Sequence, residues 1–287
     1  MNDCTVVVAT YNRPRLLDAT LARLCALPEA PHIVVVDNGS DDGTAELAVR
    51  GYPGVQLIAL PVNIGAAART LGVQAATSRY VAFCDDDCWW QPGSLAGAVL
   101  LLDAHPGVAL LNARVVVHRM RVDPACALMA SSRLPKRTAC PGTAIAQFMA
   151  GASVVRRAAF LAAGGYEPRY HIGAEESLLA LDLLDAGWEL IYVADLVVHH
   201  EPTAEGRQPD QRRLLVMRNR LWTAWLRRSW RVVWSSTVAL ARAGRRDPVA
   251  RAALRAALGG LPWIVRKRRP VRGNLERFLE TLTELPA

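Results

Sequence analysis

The chain has 287 residues, 52% of them hydrophobic, and a formal net charge of +8. That is long for one domain and short for two large ones, with enough apolar residues for a sizeable core. No uncharged apolar run nears the ~20 residues of a membrane span, and the opening MNDCTVVVATYNRP carries an acid but no basic n-region, so neither an anchor nor a signal peptide is expected.

TVVVAT (5–10) is a β-branched run that predicts a buried strand, stopped by YNRP. RLLDATLARLCAL (15–27) has apolar residues at helical spacing and ends near Pro28. HIVVVDNGSDDGT (32–44) predicts a second strand running into an Asp/Gly/Ser turn. TAELAVRGY reads as a helix, VQLIAL as a third strand, NIGAAARTLGVQAAT (63–77) as an Ala-rich helix and YVAFC as a fourth strand. Strands alternating with helices predict an α/β fold with a mixed, mostly parallel central sheet. In such sheets ligands gather beyond the carboxyl ends of the strands, where Tyr11, Asp37 and Asp85 fall.

Past residue 90 the pattern predicts a helix (94–104), a strand (108–118) and an irregular basic stretch (119–143). FMAGASVVRRAAFLAAGGY (148–166) reads as strand, turn and short helix with a Gly-Gly stop. EESLLALDLLDAGW (175–188) is an amphipathic helix ended by Gly187, and ELIYVADLVVHHEP (189–202) is a strand running into two histidines. The rest, 207–280, reads as helical, Arg-rich and Trp-containing. Six cysteines at irregular spacing, with no export signal, predict reduced thiols and a cytoplasmic protein. Cys84 and Cys88 lack the matching second pair of a zinc site.

The charge is divided. Residues 1–200 carry 15 basic and 19 acidic side chains, net −4, whereas residues 201–287 carry 19 and 7, net +12. A basic tail with Trp222, Trp225, Trp230 and Trp234 admits three readings: a lipid interface, a cover over the preceding domain, or a nucleic-acid surface. Arginines interleave with the tryptophans instead of segregating onto one face, which favours docking with the Arg stems buried, leaves peripheral membrane contact open and sets nucleic acid aside.

Asp85, Asp86 and Asp87 follow a core strand directly, although neighbouring carboxylates repel and resist desolvation. Glu175 and Glu176 open one helix, and His199 and His200 close a later strand. Hard oxygen ligands with one imidazole suit Mg²⁺ or Mn²⁺, and such an ion would make the clustered aspartates tolerable beside a diphosphate. Each element also has a plainer reading. Asp37 serves turn geometry equally well, Glu175-Glu176 suit a helix N-terminus, and Trp89 and Trp90 suit packing.

VVVATYNRP, VVVDNGSDDGT, NIGAAARTLG, FCDDD, GASVVRRAAFLAAGGY, GAEESLLALDLLDAGW and YVADLVVHH occur in the order found in family 2 glycosyltransferases of the GT-A fold, which residues 4–200 resemble. The resemblance implies a GT-A domain over 1–205, nucleotide-sugar binding in 1–90 and the acceptor side in 91–205, with a basic helical extension, 206–287, packed on it. It implies that Thr10, Tyr11, Asn12 and Arg13 line the base pocket and that Asp37 and Arg69 bind the nucleotide. Asp85, Asp86 and Asp87 become its acidic D-x-D, with Asp87 the principal metal ligand, Asp85 nearer the ribose and His200, or in the rival register His199, a further ligand. Gly151 and Ala152 become the turn beside the donor sugar, and Glu176, next to Glu175, the general base.

The implied activity is inverting, Mn²⁺- or Mg²⁺-dependent transfer of one hexosyl or deoxyhexosyl unit. The donor would be a UDP-, GDP- or dTDP-sugar, and the acceptor hydroxyl would sit on a glycan, a lipid-linked molecule or a small molecule. Two departures stand out: Thr70 follows Arg69 where Asn is usual, and Glu176 replaces Asp. No Q-x-x-R-W element is present, which points away from a processive synthase, while VMRNRLW (216–222) resembles an Arg-Asn element of non-processive members. A sugar nucleotidyltransferase would want a Gly-rich loop after the first strand, but TYNRPRLL has no glycine. An inactive GT-A binding module is the other alternative; the intact acidic pair argues against it.

Overall fold

Val6, Val7 and Val8 are fully buried, as are Val34, Val35 and Val36. Runs without polar alternation belong to strands covered on both faces, and each such side chain contributes about 1.5–3 kcal/mol of burial. In the computed structural model, which describes residues 3–118, 120–202 and 209–283, these runs are the centre of the sheet.

The first half alternates: β1 (Cys4–Thr10), α1 (Pro14–Cys25), β2 (His32–Asp37), α2 (Thr44–Gly51), β3 (Gln56–Ala59), α3 (Ala68–Ala75), β4 (Tyr80–Asp85), β5 (Cys88–Trp90) and α4 (Ser94–Ala104). The second half continues with β6 (Val108–Val117), β7 (Arg121–Val122), α5 (Pro124–Ala130), β8 (Thr143–Ala144), β9 (Ser153–Arg156), α6 (Arg157–Ala162), α7 (Glu175–Asp185) and β10 (Glu189–His200). Five helices follow: α8 (Pro209–Arg227), α9 (Trp230–Ala243), α10 (Pro248–Leu258), α11 (Leu261–Lys267) and α12 (Gly273–Thr283).

The sheet order is β3-β2-β1-β4-β9-β6-β10-β5, with β7 on β6 and β8 on β10. Strands β3, β2, β1 and β4 pair in parallel, as do β6 and β10. β9 runs antiparallel between β4 and β6, so it joins two parallel blocks whose carboxyl ends share one edge.

Two elements depart from the sequence reading. Cys88–Trp90 is a strand, antiparallel to β10, instead of a connection. The stretch 119–143 contains α5, whose N-cap Asp123 accepts a hydrogen bond from Ala125 N at 2.8 Å ahead of Pro124. An Asp followed by Pro is a helix start signal, and the same pair at Asp247-Pro248 opens α10 and divides the helical tail. The expected domain boundary at 205/206 lies outside the described residues.

The tail packs on the sheet domain through α8. Trp222, Trp225, Leu221 and Leu226 cluster with Tyr170 and with Leu178 of α7. Trp222 donates to Ala257 O at 3.0 Å and Trp225 to Thr237 Oγ1 at 2.9 Å. Arg227 pairs with Asp182 of α7, both nearly buried. Trp230 and Trp234 point outward from α9.

Candidate active site

The three aspartates sit where β4 turns back into β5. β4 pairs with β1 and β9, whereas β5 pairs with β10, and that divergence decides their neighbours. β5 pairs with β10 so that Cys88 faces His200 and Trp89 faces His199. His200 Nε2 thereby lies 3.4 Å from Asp87 Oδ1. Adjacent strand residues point to opposite faces, and His199 instead stacks on Trp89, centroids 5.4 Å apart, with the Arg23 guanidinium 3.9 Å over the same Trp89 ring. Trp90 is core, its indole donating to Phe83 O at 3.1 Å.

Each aspartate has a different partner. Asp85, half-exposed, is ion-paired with the buried guanidinium of Arg69 from α3. Asp86 is buried: Thr10 Oγ1 donates to it at 2.9 Å, Arg13 Nη1 at 3.1 Å, and Thr20 caps its backbone carbonyl at 2.8 Å. Asp87 lies between His200 and Arg13, whose Nη1 is 3.5 Å away.

Their acidities diverge accordingly. Burial pushes Asp86 up to about 6, against the opposing pull of Arg13 and Thr10. Burial also pushes Asp87 upward, but the His200 hydrogen bond and the charges of His200 and Arg13 outweigh it and hold the carboxyl below its ordinary value. The Asp87 hydrogen bond in turn raises His200 above the usual imidazole value, against burial. So the turn tolerates three carboxylates because Arg69 faces Asp85, Arg13 serves Asp86 and Asp87 together, and His200 adds a second partner at Asp87.

The other predicted residues fall around this turn. Asp37 ends β2, buried, with both oxygens engaged by Ser40: the amide at 3.1 Å and the hydroxyl. Asn12, in a left-handed conformation, ties the loop after β1 to the next loop through Asp41, at 2.9 and 3.0 Å. Tyr11 stands exposed between them. Gly151 and Ala152 lie in a 3-10 turn leading into β9. A Cβ on Gly151 would sit 2.6 Å from Asp85 Oδ2, so this backbone approaches the carboxylate as only glycine permits.

Glu175 and Glu176 open α7. Glu175 is buried with one carboxylate oxygen unpaired among the described residues, and Glu176 is half-buried. Burial raises both, Arg69 opposing this at Glu175 and the Glu175 charge adding to it at Glu176. The loop before them is clamped from two sides. Gly65, with φ +65°, lets Ala66 N reach His171 O at 2.6 Å; a Cβ there would overlap that carbonyl at 2.1 Å. From α8, buried Asn219 donates to Tyr170 O, Ile172 O and Gly173 O, at 2.9, 3.2 and 2.6 Å.

The family model described as glycosyl transferase family 2 matches residues 5–160, more than half of the chain. The chain belongs to that family. It is 30% identical over 239 residues to N-acetylglucosaminyl-diphospho-decaprenol L-rhamnosyltransferase of Mycobacterium tuberculosis, covering 71% of this chain and 78% of that one. Among solved structures, the mannosyltransferase PcManGT of Pyrobaculum calidifontis, in complex with GDP-Man and Mn²⁺, aligns with a TM-score of 0.61 at 21% identity, over 98% of this chain and 86% of that chain. TarS 1-349 of S. aureus in complex with UDP aligns at 0.59 and 19% identity, over 77% of this chain and 65% of that chain. The fold is GT-A, as the sequence resemblance implied, and the protein is a glycosyltransferase.

Asp87, Cys88 and His200 of this family 2 member offer donor atoms within 4.8 Å of one another. Burial holds the Cys88 thiol well above its ordinary value, so it stays protonated and donates to Asp87 Oδ1 at 3.6 Å. A neutral thiol is a poor ligand for a hard cation, whereas an ionised carboxylate with an imidazole suits Mn²⁺. The donor set fits a divalent ion through Asp87 and His200; Asp85, committed to Arg69, stands outside this triplet.

Three contributors had no role in the sequence reading. Tyr166 is buried near Arg69 and both glutamates, with its hydroxyl unpaired among the described residues. Its signal was an aromatic after Gly-Gly. Thr20 lies on α1, 66 residues from the aspartate it caps. Asn219 was visible as part of VMRNRLW, but its contacts lie 46 to 49 residues upstream.

Proposed function

We propose that the enzyme is a non-processive, inverting, metal-dependent transferase that moves one sugar from a nucleoside-diphosphate sugar to a hydroxyl of a lipid-linked acceptor. The observation that carries the proposal is the meeting of the Asp87–His200 pair, the Arg69–Asp85 pair and the raised Glu175-Glu176 carboxyls at one edge of the sheet. Similarity to a rhamnosyltransferase with a decaprenol-diphosphate acceptor supports the acceptor class and makes a deoxyhexose the first donor sugar to test.

Asp87 and His200 would hold Mn²⁺ or Mg²⁺, which supplies charge neutralisation for a departing diphosphate. Tyr11 and Asn12 would line the base pocket, with Asp37 setting its loop through Ser40. Thr10 and Arg13 hold Asp86 in place below it. Arg69 and Asp85 would orient ribose and phosphate, with Gly151 and Ala152 giving backbone access to the sugar. Glu176 would take the proton of the acceptor hydroxyl as its oxygen bonds to the anomeric carbon and the bond to the diphosphate breaks. A carboxyl with a raised pKa is a stronger base once deprotonated.

A thermal-shift screen of UDP-, GDP- and dTDP-sugars, dTDP-rhamnose included, tests this. A donor that binds only the native state raises the melting temperature in proportion to ln(1 + [L]/Kd). Stabilisation should need Mn²⁺ or Mg²⁺, vanish in EDTA and be weakened by Asp87→Asn or His200→Ala. If no nucleoside-diphosphate sugar stabilises the protein, the donor class is wrong; full turnover in EDTA removes the metal.

A further inference from the structure

Helix α9 has no fully buried side chain. Trp230 and Trp234 stand one turn apart at 72% and 73% exposure, while Trp222 and Trp225 of α8 are at 6%. Scattered exposed apolar residues are ordinary, but two large indoles on successive turns make a patch. The guanidinium of Arg268 lies 4.1 Å over the Trp230 ring and joins that patch to the end of α11, where Val265 is also exposed.

The surrounding charge has one sign. Arg242, Arg245, Arg246 and Arg266 are exposed and form no ion pair among the described residues. Nearby carboxylates are already taken: Asp247 by Arg213, Glu276 by Arg228, and Glu280 by Arg231. Arg227, Arg269 and Arg272 of the tail pair with Asp182 and Asp185 of α7, so the carboxylates of α7 go to other arginines than these four. A second copy of the chain would bring like charge against like.

We propose that this face, with Trp230 and Trp234 at its centre and Arg242, Arg245, Arg246 and Arg266 at its rim, docks on the surface of an anionic lipid bilayer. Indole rings partition to the headgroup level, and arginines attract lipid phosphates. No described helix is long and apolar enough to cross the membrane, so α9 lies on the surface. The inference does not need the proposed reaction, since binding is read without donor or acceptor.

The test is co-sedimentation of the full chain at physiological salt with vesicles of phosphatidylcholine alone or mixed equally with phosphatidylglycerol. Binding is expected only to the mixed vesicles. Trp230→Ser with Trp234→Ser should weaken it at least about tenfold, since the buried apolar area goes, without lowering the melting temperature. Arg245→Gln with Arg246→Gln should weaken it most at low salt. Brominated acyl chains should quench the tryptophan emission of the unaltered protein, a readout that needs no variant. Absence of binding to anionic vesicles, or unchanged binding by the double Trp variant, overturns the proposal. So does a lipid-independent dimer that the double Trp variant dissolves, which would assign the face to a second copy.

Discussion

Asn219 Nδ2 donates to Gly173 O at 2.6 Å, two residues before Glu175, across 46 positions of sequence. The amide has two hydrogens and three carbonyls to serve, with Tyr170 O and Ile172 O the others. Arg218 adds a bond to Tyr170 O at 3.0 Å while stacking on Trp222. Thus the basic tail, through α8, sets the backbone from which the two glutamates project.

Asn219→Leu should therefore have two effects. Leaving buried carbonyls unpaired costs about 1–3 kcal/mol per group, readable as a lower urea midpoint. Turnover should fall about tenfold or more with donor affinity nearly unchanged, because the clamp acts on the acid pair and not on the nucleotide loops. Lower stability with unaltered turnover would make Asn219 a purely structural clamp.

The alternation of β-branched runs with helices was legible because both signals are local. The Asp85–Asp87 cluster was legible as an anomaly, since its residue types contradict the burial of the strand before it. The choice of His200 over His199 was not, because it depends on the register of β5 against β10 and β5 is three residues long. Nor was the split among the tail tryptophans. Trp222 and Trp225 share α8, Trp230 and Trp234 share α9, and Ser229 separates the helices. A reading of 207–280 as one helical stretch averages over that break.

Gly151→Ala should damage the Asp85–Arg69 pair without touching either residue. The new Cβ, 2.6 Å from Asp85 Oδ2, must displace the carboxylate or the turn. Overpacking of this kind costs about 1–3 kcal/mol. Donor affinity measured by calorimetry should fall, while Gly54→Ala, where nothing lies within 4 Å, should leave it intact. Equal donor affinity in Gly151→Ala and the parent would detach Asp85 from donor binding.

Glu176 links activity to pH with a definite sign. Its pKa is raised by burial and by Glu175, so the folded chain holds the proton more tightly than the unfolded one. The stability this confers is present at low pH and is lost as pH climbs from the ordinary carboxylate range through the raised value. Turnover should rise over that window as the base is freed. Glu176→Gln should flatten the stability profile, raise the melting temperature above the parent's on the alkaline side and cut turnover at least about 10²-fold. If Glu175→Gln behaves this way and Glu176→Gln does not, the base is Glu175.

Asp182 tests how the tail is held. It lies buried on α7 and accepts from Arg227 of α8, Nη2 at 3.1 Å, and from Arg269 at 3.4 Å. Arg227 is itself mostly buried, so its charge has few other partners. Truncating one member of a buried pair strands the other and costs about 3–5 kcal/mol, whereas replacing both with apolar side chains is often nearly neutral. Asp182→Ala should thus destabilise strongly, and Asp182→Leu with Arg227→Met should recover most of the loss. Arg79, exposed in its bonds to Asp3 and Asp103, is the control: Arg79→Ala should cost little stability. Urea unfolding of the three variants beside the parent supplies the comparison, and turnover adds a second reading. The tail carries Asn219, so loosening α8 from α7 should lower activity in Asp182→Ala before global unfolding begins. A variant that lost stability but kept full turnover up to its transition would show that the Asp182–Arg227 contact and the Asn219 clamp are energetically independent.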